Sequence, residues 1–177
     1  MKKDFRFKIV LVGDEAVGKT SLILRYINNT FKDNYIPTLG VNFMTKDLQI
    51  KKTTRLVIWD IGGQAEWKAK LSLYLKGADG AIITFDLTRP TTFTSLEDWI
   101  SKLQAIISPN IPFIVVGNKN DLKDLRKVRA KDVKKFLKKQ AYSIYFESSA
   151  KTGENVDTLF DRIAREIIKN KGFTIKD

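Results

Sequence analysis

The sequence predicts an α/β protein in which a six-stranded, mostly parallel sheet carries five helices on its two faces. Apolar residues alternate along the chain between strand-like and helix-like spacing. The two kinds of segment follow each other almost strictly, as they do in parallel sheets that are covered by helices on both sides. A polar turn at residues 51–54 joins two strand-like segments, which predicts a hairpin and hence one antiparallel edge strand.

The individual elements are assigned from the spacing of their apolar residues. Strands are predicted over residues 5–12, 41–50, 55–60, 78–86, 112–118 and 143–148. Helices are predicted over residues 18–29, 65–75, 90–107, 130–140 and 156–167. In sheets of this kind ligands bind beyond the carboxyl ends of the strands, so the loops that follow the strands form the candidate site.

Composition narrows the class of protein. The chain has 177 residues, 43% of them hydrophobic, which suits one domain. We place that domain at residues 5–170 and expect short flexible ends at 1–4 and 171–177. Neither cysteine nor histidine occurs, which excludes disulfides, thiolate catalysis, zinc fingers and imidazole bases. A bound metal must then have oxygen ligands, as Mg²⁺ or Ca²⁺ does. We expect a cytoplasmic protein, because no segment is apolar over the length of a membrane span and no signal peptide is recognisable.

The first loop after a strand carries a phosphate-binding motif. Residues 13–20 are Gly-Asp-Glu-Ala-Val-Gly-Lys-Thr and match G-x-x-x-x-G-K-[ST], whose glycines let backbone N–H groups wrap a diphosphate. Lys19 would reach the β- and γ-phosphates, and the Thr20 hydroxyl would ligate Mg²⁺. A glycine turn that ends in Lys-Thr by chance is the alternative. The position between a strand and a helix favours the motif.

Two further loops indicate which nucleotide is bound. Asp60 ends an apolar strand, which is typical of the second half of a Mg²⁺–nucleotide site. Residues 118–121 are Asn-Lys-Asn-Asp. The Asp121 carboxylate can accept hydrogen bonds from N1–H and the amine of guanine, whereas adenine offers no such pair of donors. The Asn118 amide can serve N7 and O6, and the Lys119 stem can lie over the ring.

These motifs, in this order and spacing, resemble those of the Ras-like small GTPases, with a closer similarity to the Rab family. The resemblance runs from about residue 7 to residue 169. Residues 35–43 resemble the Rab switch I, and segments 74–78 and 81–88 are also Rab-like. The resemblance implies a P-loop NTPase fold of the Ras-like G-domain type. It also implies a molecular switch that binds GTP or GDP with Mg²⁺ and hydrolyses GTP.

Specific roles follow from the resemblance. Thr38 would hold Mg²⁺ through its hydroxyl and sense the γ-phosphate through its backbone, and Asp60 would hold the ion through water. The Gly63 N–H would bind the γ-phosphate, and Gln64 would orient the attacking water. Gln64, Lys19 and Gly63 are therefore the expected catalytic residues.

The remaining expected contacts concern the base and the outer edge of the site. Phe31 would pack edge-on against guanine and Tyr35 would cover the phosphates, although a half-buried aromatic of the fold is the alternative for both. The Ala150 N–H would meet guanine O6. The expected nucleotide-binding residues are Glu15, Ala16, Val17, Gly18, Lys19, Thr20, Ser21, Phe31, Tyr35, Thr38, Gly63, Asn118, Lys119, Asp121, Ser149, Ala150 and Lys151, and the expected metal ligands are Thr20, Thr38 and Asp60.

The sequence also departs from the family pattern. Glu15 stands in the phosphate loop where relatives carry Gly or a small residue, so we expect slow hydrolysis and a poor response to arginine-finger activators. Residues 61–62 before Gly-Gln resemble the Arf family, and residues 65–67 replace the common Glu-Arg-Phe. A guanine-nucleotide-binding module with little turnover is the alternative function. Residues 118–121 argue against a third reading, a P-loop kinase or ATPase.

Charge and the chain ends bear on partners. Most Rab and Ras proteins end in prenylated cysteines, so either a lipidated tail was removed or this is one of the unlipidated relatives found in prokaryotes, archaea included. We expect no lipid anchor on this chain.

Residues 123–139 hold nine Lys or Arg and two Asp. This segment is either a solvated helix face or a weak contact for anionic membrane or an acidic partner. No aromatic platform accompanies the charge, so nucleic acid is not expected. We expect a monomer that meets effector, exchange and activating proteins through switch I and switch II.

Overall fold

The computed structural model describes residues 5–34, 36–50, 52–63, 70–139 and 144–174. Its strands are β1 (Phe5–Val12), β2 (Val41–Gln49), β3 (Thr53–Ile61), β4 (Gly80–Asp86), β5 (Phe113–Asn118) and β6 (Tyr145–Glu147). Its α-helices are α1 (Lys19–Asn28), α2 (Leu71–Leu75), α3 (Pro90–Thr94), α4 (Leu96–Ile106), α5 (Ala130–Lys139) and α6 (Val156–Asn170). A short 3₁₀ turn covers Lys123–Leu125.

The strands form one six-stranded sheet in the order β2-β3-β1-β4-β5-β6. β2 pairs antiparallel with β3, and every other neighbouring pair is parallel. The predicted fold class, including the antiparallel edge strand, is confirmed. Because the parallel strands end at the same edge, their following loops meet there and build the candidate site.

Helices cover both faces of the sheet and enclose a separate apolar core on each. On one face α1 and α6 pack together, with the rings of Tyr26 and Phe160 stacked at 4.0 Å. On the other face α2, α4 and α5 contribute buried side chains such as Leu75, Leu103 and Val133, and partly buried Phe93 of α3 packs against them. All residues of β4 and β5 are buried, as expected for central strands that carry helices on both sides.

Two predicted elements differ clearly in extent, and a third is only partly described. The helix predicted over 90–107 is divided at Ser95 into α3 and α4. The Ser95 hydroxyl donates to the Thr91 carbonyl four residues earlier, and such a bond to the preceding turn often bends a helix. The same hydroxyl lies 2.7 Å from the Asp14 carboxylate of the phosphate loop. The last strand has three residues rather than six. Of the helix predicted over 65–75, residues 65–69 lie outside the described part of the chain.

The C-terminal end is described as far as residue 174. Past α6, the Lys171 ammonium lies 2.8 Å from the Asp79 carboxylate. The ring of Phe173 lies 4.9 Å from that of Phe5 at the start of β1. Packing contacts therefore extend a few residues beyond the last helix.

Candidate nucleotide-binding site

A cavity of about 650 Å³ opens at the carboxyl ends of the parallel strands, within the usual size range of small-molecule sites. It brings together residues from five separated segments of the chain. The predicted site residues that line it are Glu15, Ala16, Gly18, Lys19, Thr20, Ser21, Phe31, Thr38, Gly63, Asn118, Lys119, Asp121, Ala150 and Lys151. Three others, Val17, Asp60 and Ser149, are buried directly behind this lining.

The phosphate loop needs its two motif glycines for steric reasons. Gly13 has φ of 140°, and a Cβ there would lie 2.1 Å from the Thr84 carbonyl oxygen. Gly18 has φ of 101°, and a Cβ there would lie 2.2 Å from Asn118 Nδ2. Gly18 also caps α1 without a side-chain hydrogen bond, so the first N–H groups of that helix are available to an anion in the cavity.

Lys19 is the buried cation of the loop. Its side chain is 6% exposed, and Nζ donates to the carbonyl oxygens of Gly13 and Asp14, each at 2.8 Å. Burial lowers the pKa of Lys19 to about 8, against the opposing effect of carboxylates that include Asp60 and Glu15. An anionic ligand next to Nζ would relieve this unfavourable burial.

Three oxygen-bearing side chains from different segments meet beside the loop. Thr20 Oγ1 donates to Asp60 Oδ2 at 2.5 Å and lies 2.7 Å from Thr38 Oγ1. Asp60 is buried, and among the described residues its Oδ1 has no hydrogen-bond partner. Burial raises the pKa of this carboxyl, although the hydrogen bond from Thr20 and the charge of Lys19 oppose the shift. A buried carboxylate oxygen without a donor is costly unless a ligand meets it.

This cluster fits Mg²⁺, because the ion prefers hard oxygen ligands and uses one or two carboxylates together with substrate phosphates. Across residues 5–34, 36–50, 52–63, 70–139 and 144–174, no group of three or more Asp, Glu, His or Cys side chains could bind a metal. An ion here would therefore depend on the two hydroxyls, on Asp60 and on the phosphates of the ligand.

The segment after β3 lies against the phosphate loop. A Cβ at Gly63 would come within 2.5 Å of the Glu15 backbone nitrogen, so only glycine allows this approach. The Gly62 N–H donates to the Gly40 carbonyl at 3.0 Å, which joins the two segments expected to act as switches. Gln64 and Tyr35 lie outside the described residues.

The base end of the cavity is held by side-chain hydrogen bonds. Asn118 Nδ2 donates to the Val17 carbonyl at 2.9 Å, and Asn118 Oδ1 accepts from the Ala150 N–H at 3.2 Å. The Ser149 hydroxyl donates to Asp121 Oδ1 at 2.6 Å. The Asn118 amide and the Ala150 N–H, both expected at guanine, thus also tie the base loops to the phosphate loop.

Phe31 is both a residue of the cavity wall and a half-buried aromatic of the fold. The residue lines the cavity, and its half-buried ring packs against the core under α1 and α6. A ring fixed in this way offers a preformed surface to a planar ligand.

Two supporting contacts have no local sequence signal. Arg25 on α1 donates from Nε to the Ala150 carbonyl at 2.8 Å and from an Nη to the Lys151 carbonyl at 2.5 Å. The Asp14 carboxylate accepts from the Ser95 hydroxyl at 2.7 Å and from the Trp99 indole N–H at 2.9 Å. The first contact holds the base loop, and the second holds the phosphate loop against α4.

Comparisons with known proteins agree with this geometry. The sheet order and the glycine-dependent loop after β1 define an α/β nucleotide-binding protein of the P-loop class. A model of the Ras family matches residues 8–169. The chain belongs to the Ras family, and it is a small GTPase, an enzyme that hydrolyses GTP.

Curated relatives are Rab-related proteins. The Ras-related protein RABA2a of Arabidopsis thaliana is 38% identical over 167 residues, which is 94% of this chain and 76% of the relative. RABA1c of the same plant is 40% identical over 166 residues, 93% of this chain and 76% of the relative. Rab-22A of Homo sapiens is 38% identical over 161 residues, which is 90% of this chain and 82% of the relative. The predicted resemblance to Rab-like members of the superfamily is confirmed.

Within the described ranges, no helix combines the length and the apolar character needed to cross a bilayer.

Proposed function

We propose that this small GTPase is a Mg²⁺-dependent switch whose loops around Thr38 and Gly63 are ordered by GTP and released after hydrolysis. The observation that carries the proposal is the contact of Thr20, Thr38 and Asp60, with the unpartnered Asp60 Oδ1 among them. Thr20, Thr38 and Asp60 would hold Mg²⁺, which would supply positive charge to offset that of the phosphates. The position of Thr38 would then depend on the ligand in the cavity.

The other site residues take the roles expected from the sequence. Lys19 binds the β- and γ-phosphates, and the Gly63 N–H binds the γ-phosphate. Gln64 orients the attacking water. Asp121 reads the guanine edge, with its carboxylate oriented by Ser149. Hydrolysis is slow without an activating partner, since Glu15 adds bulk and negative charge beside the phosphates.

The test is to identify the nucleotide that the purified protein carries. The protein is purified gently in Mg²⁺ and denatured, and the released nucleotide is separated by chromatography. We expect GDP, together with single-turnover GTP cleavage that Gln64→Leu abolishes and Thr38→Ala weakens. Recovery of ATP or ADP, or of no nucleotide, would contradict the proposal.

Recovery of intact GTP would instead support the alternative function, a guanine-nucleotide-binding module with little turnover. Glu15 is the feature that favours this alternative. It is exposed at the cavity, near the position that an activator's arginine would need to enter.

An exposed apolar surface beside the switches supports binding to effector, exchange and activating proteins. Ile36, Leu39, Phe43 and Leu73 are each more than two-thirds exposed, and the Phe43 ring lies 5.6 Å from that of Trp59. Hydrogen exchange should be slower over residues 36–43 with a non-hydrolysable GTP analogue than with GDP, while exchange in β4 stays unchanged. Equal exchange in both states would argue against a switch.

The basic segment 123–139 supports a weak, peripheral contact with anionic membrane. The lysines on α5 are exposed, while Val133 and Leu137 face the core. In the preceding 3₁₀ turn the apolar side chain of Leu125 is 59% exposed. Co-sedimentation with phosphatidylserine vesicles should exceed that with phosphatidylcholine vesicles at low salt and be lost at high salt. Equal binding to both kinds of vesicle would show that this segment is only a solvated helix face.

A further inference from the structure

Asp86, the last residue of β4, is a buried carboxylate with four hydrogen-bond donors. Its side chain is 1% exposed. Oδ1 accepts from the backbone N–H and the hydroxyl of Thr88, at 2.8 and 2.7 Å. Oδ2 accepts from Lys119 Nζ at 2.7 Å and from Arg89 Nε at 3.2 Å. Burial opposes the ionised form, but the bonds from Lys119 and Thr88 outweigh it, so the pKa of Asp86 lies below its usual value.

Each of the two cations belongs to a different end of the nucleotide cavity. Lys119 lies in the base loop, with φ of 68°, and it lines the cavity. A left-handed backbone is unfavourable for lysine, so the ion pair with Asp86 helps to hold this residue in place.

Arg89 reaches in the opposite direction. While its Nε faces Asp86, its Nη2 donates to the carbonyl oxygen of Glu15 at 2.5 Å. Glu15 is in the middle of the phosphate loop, directly against Gly63. One guanidinium therefore joins the buried carboxylate to the backbone of the phosphate loop.

We propose that Asp86 and Arg89 are positioning residues that couple the base end of the nucleotide site to its phosphate end, through the sequence of contacts Lys119–Asp86–Arg89–Glu15 carbonyl. This inference rests on the proposed binding of guanine nucleotide. A disturbance of the phosphate loop would pass through Arg89 to the shared carboxylate and alter how firmly Lys119 holds the base. The same connection would carry a disturbance of the base loop to the phosphates.

The guanidinium shape is essential to this coupling. An arginine can donate from Nε and Nη2 to two acceptors at once, whereas a lysine ammonium on a flexible stem cannot span both in a fixed geometry. Arg89→Lys therefore keeps the charge and breaks the bridge. Because Arg89 is 41% exposed, the substitution leaves the core intact.

The experiment measures release of a fluorescent GDP analogue from the Mg²⁺-loaded protein. The variants are Arg89→Lys, Lys119→Ala, their double variant and Asp86→Asn, each checked by thermal melting. The matched control is Arg55→Lys, which alters an exposed arginine bonded through two nitrogens to Asp47, far from the cavity. We expect Arg89→Lys and Asp86→Asn to speed release roughly tenfold, as the loss of a charged hydrogen bond does, and the control to release at the wild-type rate.

The double variant distinguishes coupling from independent packing effects. If one connection joins the two ends, the double variant should release GDP no faster than the faster single variant. Release rates whose accelerations multiply would overturn the inference, as would a wild-type rate for Arg89→Lys. If Asp86→Asn fails to fold, Arg89→Lys, Lys119→Ala and their double variant still test the coupling. A wild-type protein that retains no GDP would contradict the proposed function itself, before any variant is compared.

Discussion

The two ends of the nucleotide cavity are built on different principles. At the phosphate end, Lys19 donates to two backbone carbonyls and has a pKa lowered to about 8 by burial. Asp60 has a pKa raised by burial and an oxygen to which no described residue donates. These charged groups are placed where they are unfavourable in the absence of a ligand.

The base end, in contrast, is satisfied by its own neighbours. Asn118 uses both its amide nitrogen and its oxygen within the protein, and Asp121 is oriented by Ser149. Arg25 holds the following loop through two carbonyls. The protein alone therefore organises the base end, while the phosphate end is completed by the ligand that it binds. Substitutions at the two ends should therefore affect stability and binding differently.

The largest effect is expected from Lys19→Met. Loss of the charged hydrogen bonds to phosphate should weaken GDP binding roughly a hundredfold or more, since each contributes about 1.5–3 kcal/mol. The nucleotide-free protein should lose little stability, because removal of the buried charge offsets the loss of the hydrogen bonds to the Gly13 and Asp14 carbonyls. Equilibrium GDP titration and urea unfolding measure the two quantities, with the exposed Lys138→Met on α5 as control. A clearly less stable nucleotide-free variant would contradict this difference between the two ends of the cavity.

Asn118→Ala should have the opposite pattern at the base end. The Val17 carbonyl and the Ala150 N–H would lose their partner in the interior, so the free energy of unfolding without nucleotide should fall by about 1–3 kcal/mol. Urea unfolding of nucleotide-free protein tests this, and Asn110→Ala at an exposed turn serves as control. If Asn118→Ala changes only nucleotide binding, the base end is not self-supporting.

The pH dependence of GDP binding should report the state of Lys19. Phosphate favours the charged amine, so the pKa of Lys19 is higher in the complex than its value of about 8 in the free protein. Above pH 8 binding must take up a proton, and the dissociation constant should rise by up to about tenfold per pH unit. Fluorescence titration across this range measures the slope. Lys19→Arg, which stays charged, should lose this dependence. An unchanged slope in that variant would show that a group other than Lys19 causes the pH dependence.

The smallest effect is expected at Glu15. Glu15→Gly should raise the intrinsic single-turnover rate of GTP cleavage only a few-fold and leave GDP affinity nearly unchanged. Its larger consequence concerns activators, because an arginine finger contributes roughly 10³–10⁵ in rate. Glu15→Gln keeps the bulk and removes the charge, so comparing the two variants separates the two causes. A slower Glu15→Gly protein would show that the glutamate assists hydrolysis.

The parts of the molecule that could be predicted are those that local patterns record. Hydrophobic spacing was sufficient for the sheet with its antiparallel edge, and the motif at residues 13–20 lies at the cavity as expected. The contacts of Arg25, Arg89 and Trp99 could not be predicted. Each joins groups more than seventy residues apart in sequence, and for Arg25 and Arg89 the partner is a carbonyl that every residue possesses.

The division of the third helix shows the same limit. The apolar spacing continues through Ser95 without a sign of interruption, yet α3 ends just before it. At this position the Ser95 hydroxyl contacts the Asp14 carboxylate of the distant phosphate loop at 2.7 Å. That contact depends on the tertiary fold, so the apolar spacing does not record it.

The bond between the Trp99 indole and the Asp14 carboxylate gives the protein an optical reporter of its own. An indole whose N–H is held by an anion has an emission that depends on the position and ionisation of that anion. Any rearrangement of the phosphate loop should therefore change the tryptophan fluorescence in real time, without an added dye. Trp99→Phe would remove the signal and identify its source among the chain's three tryptophans.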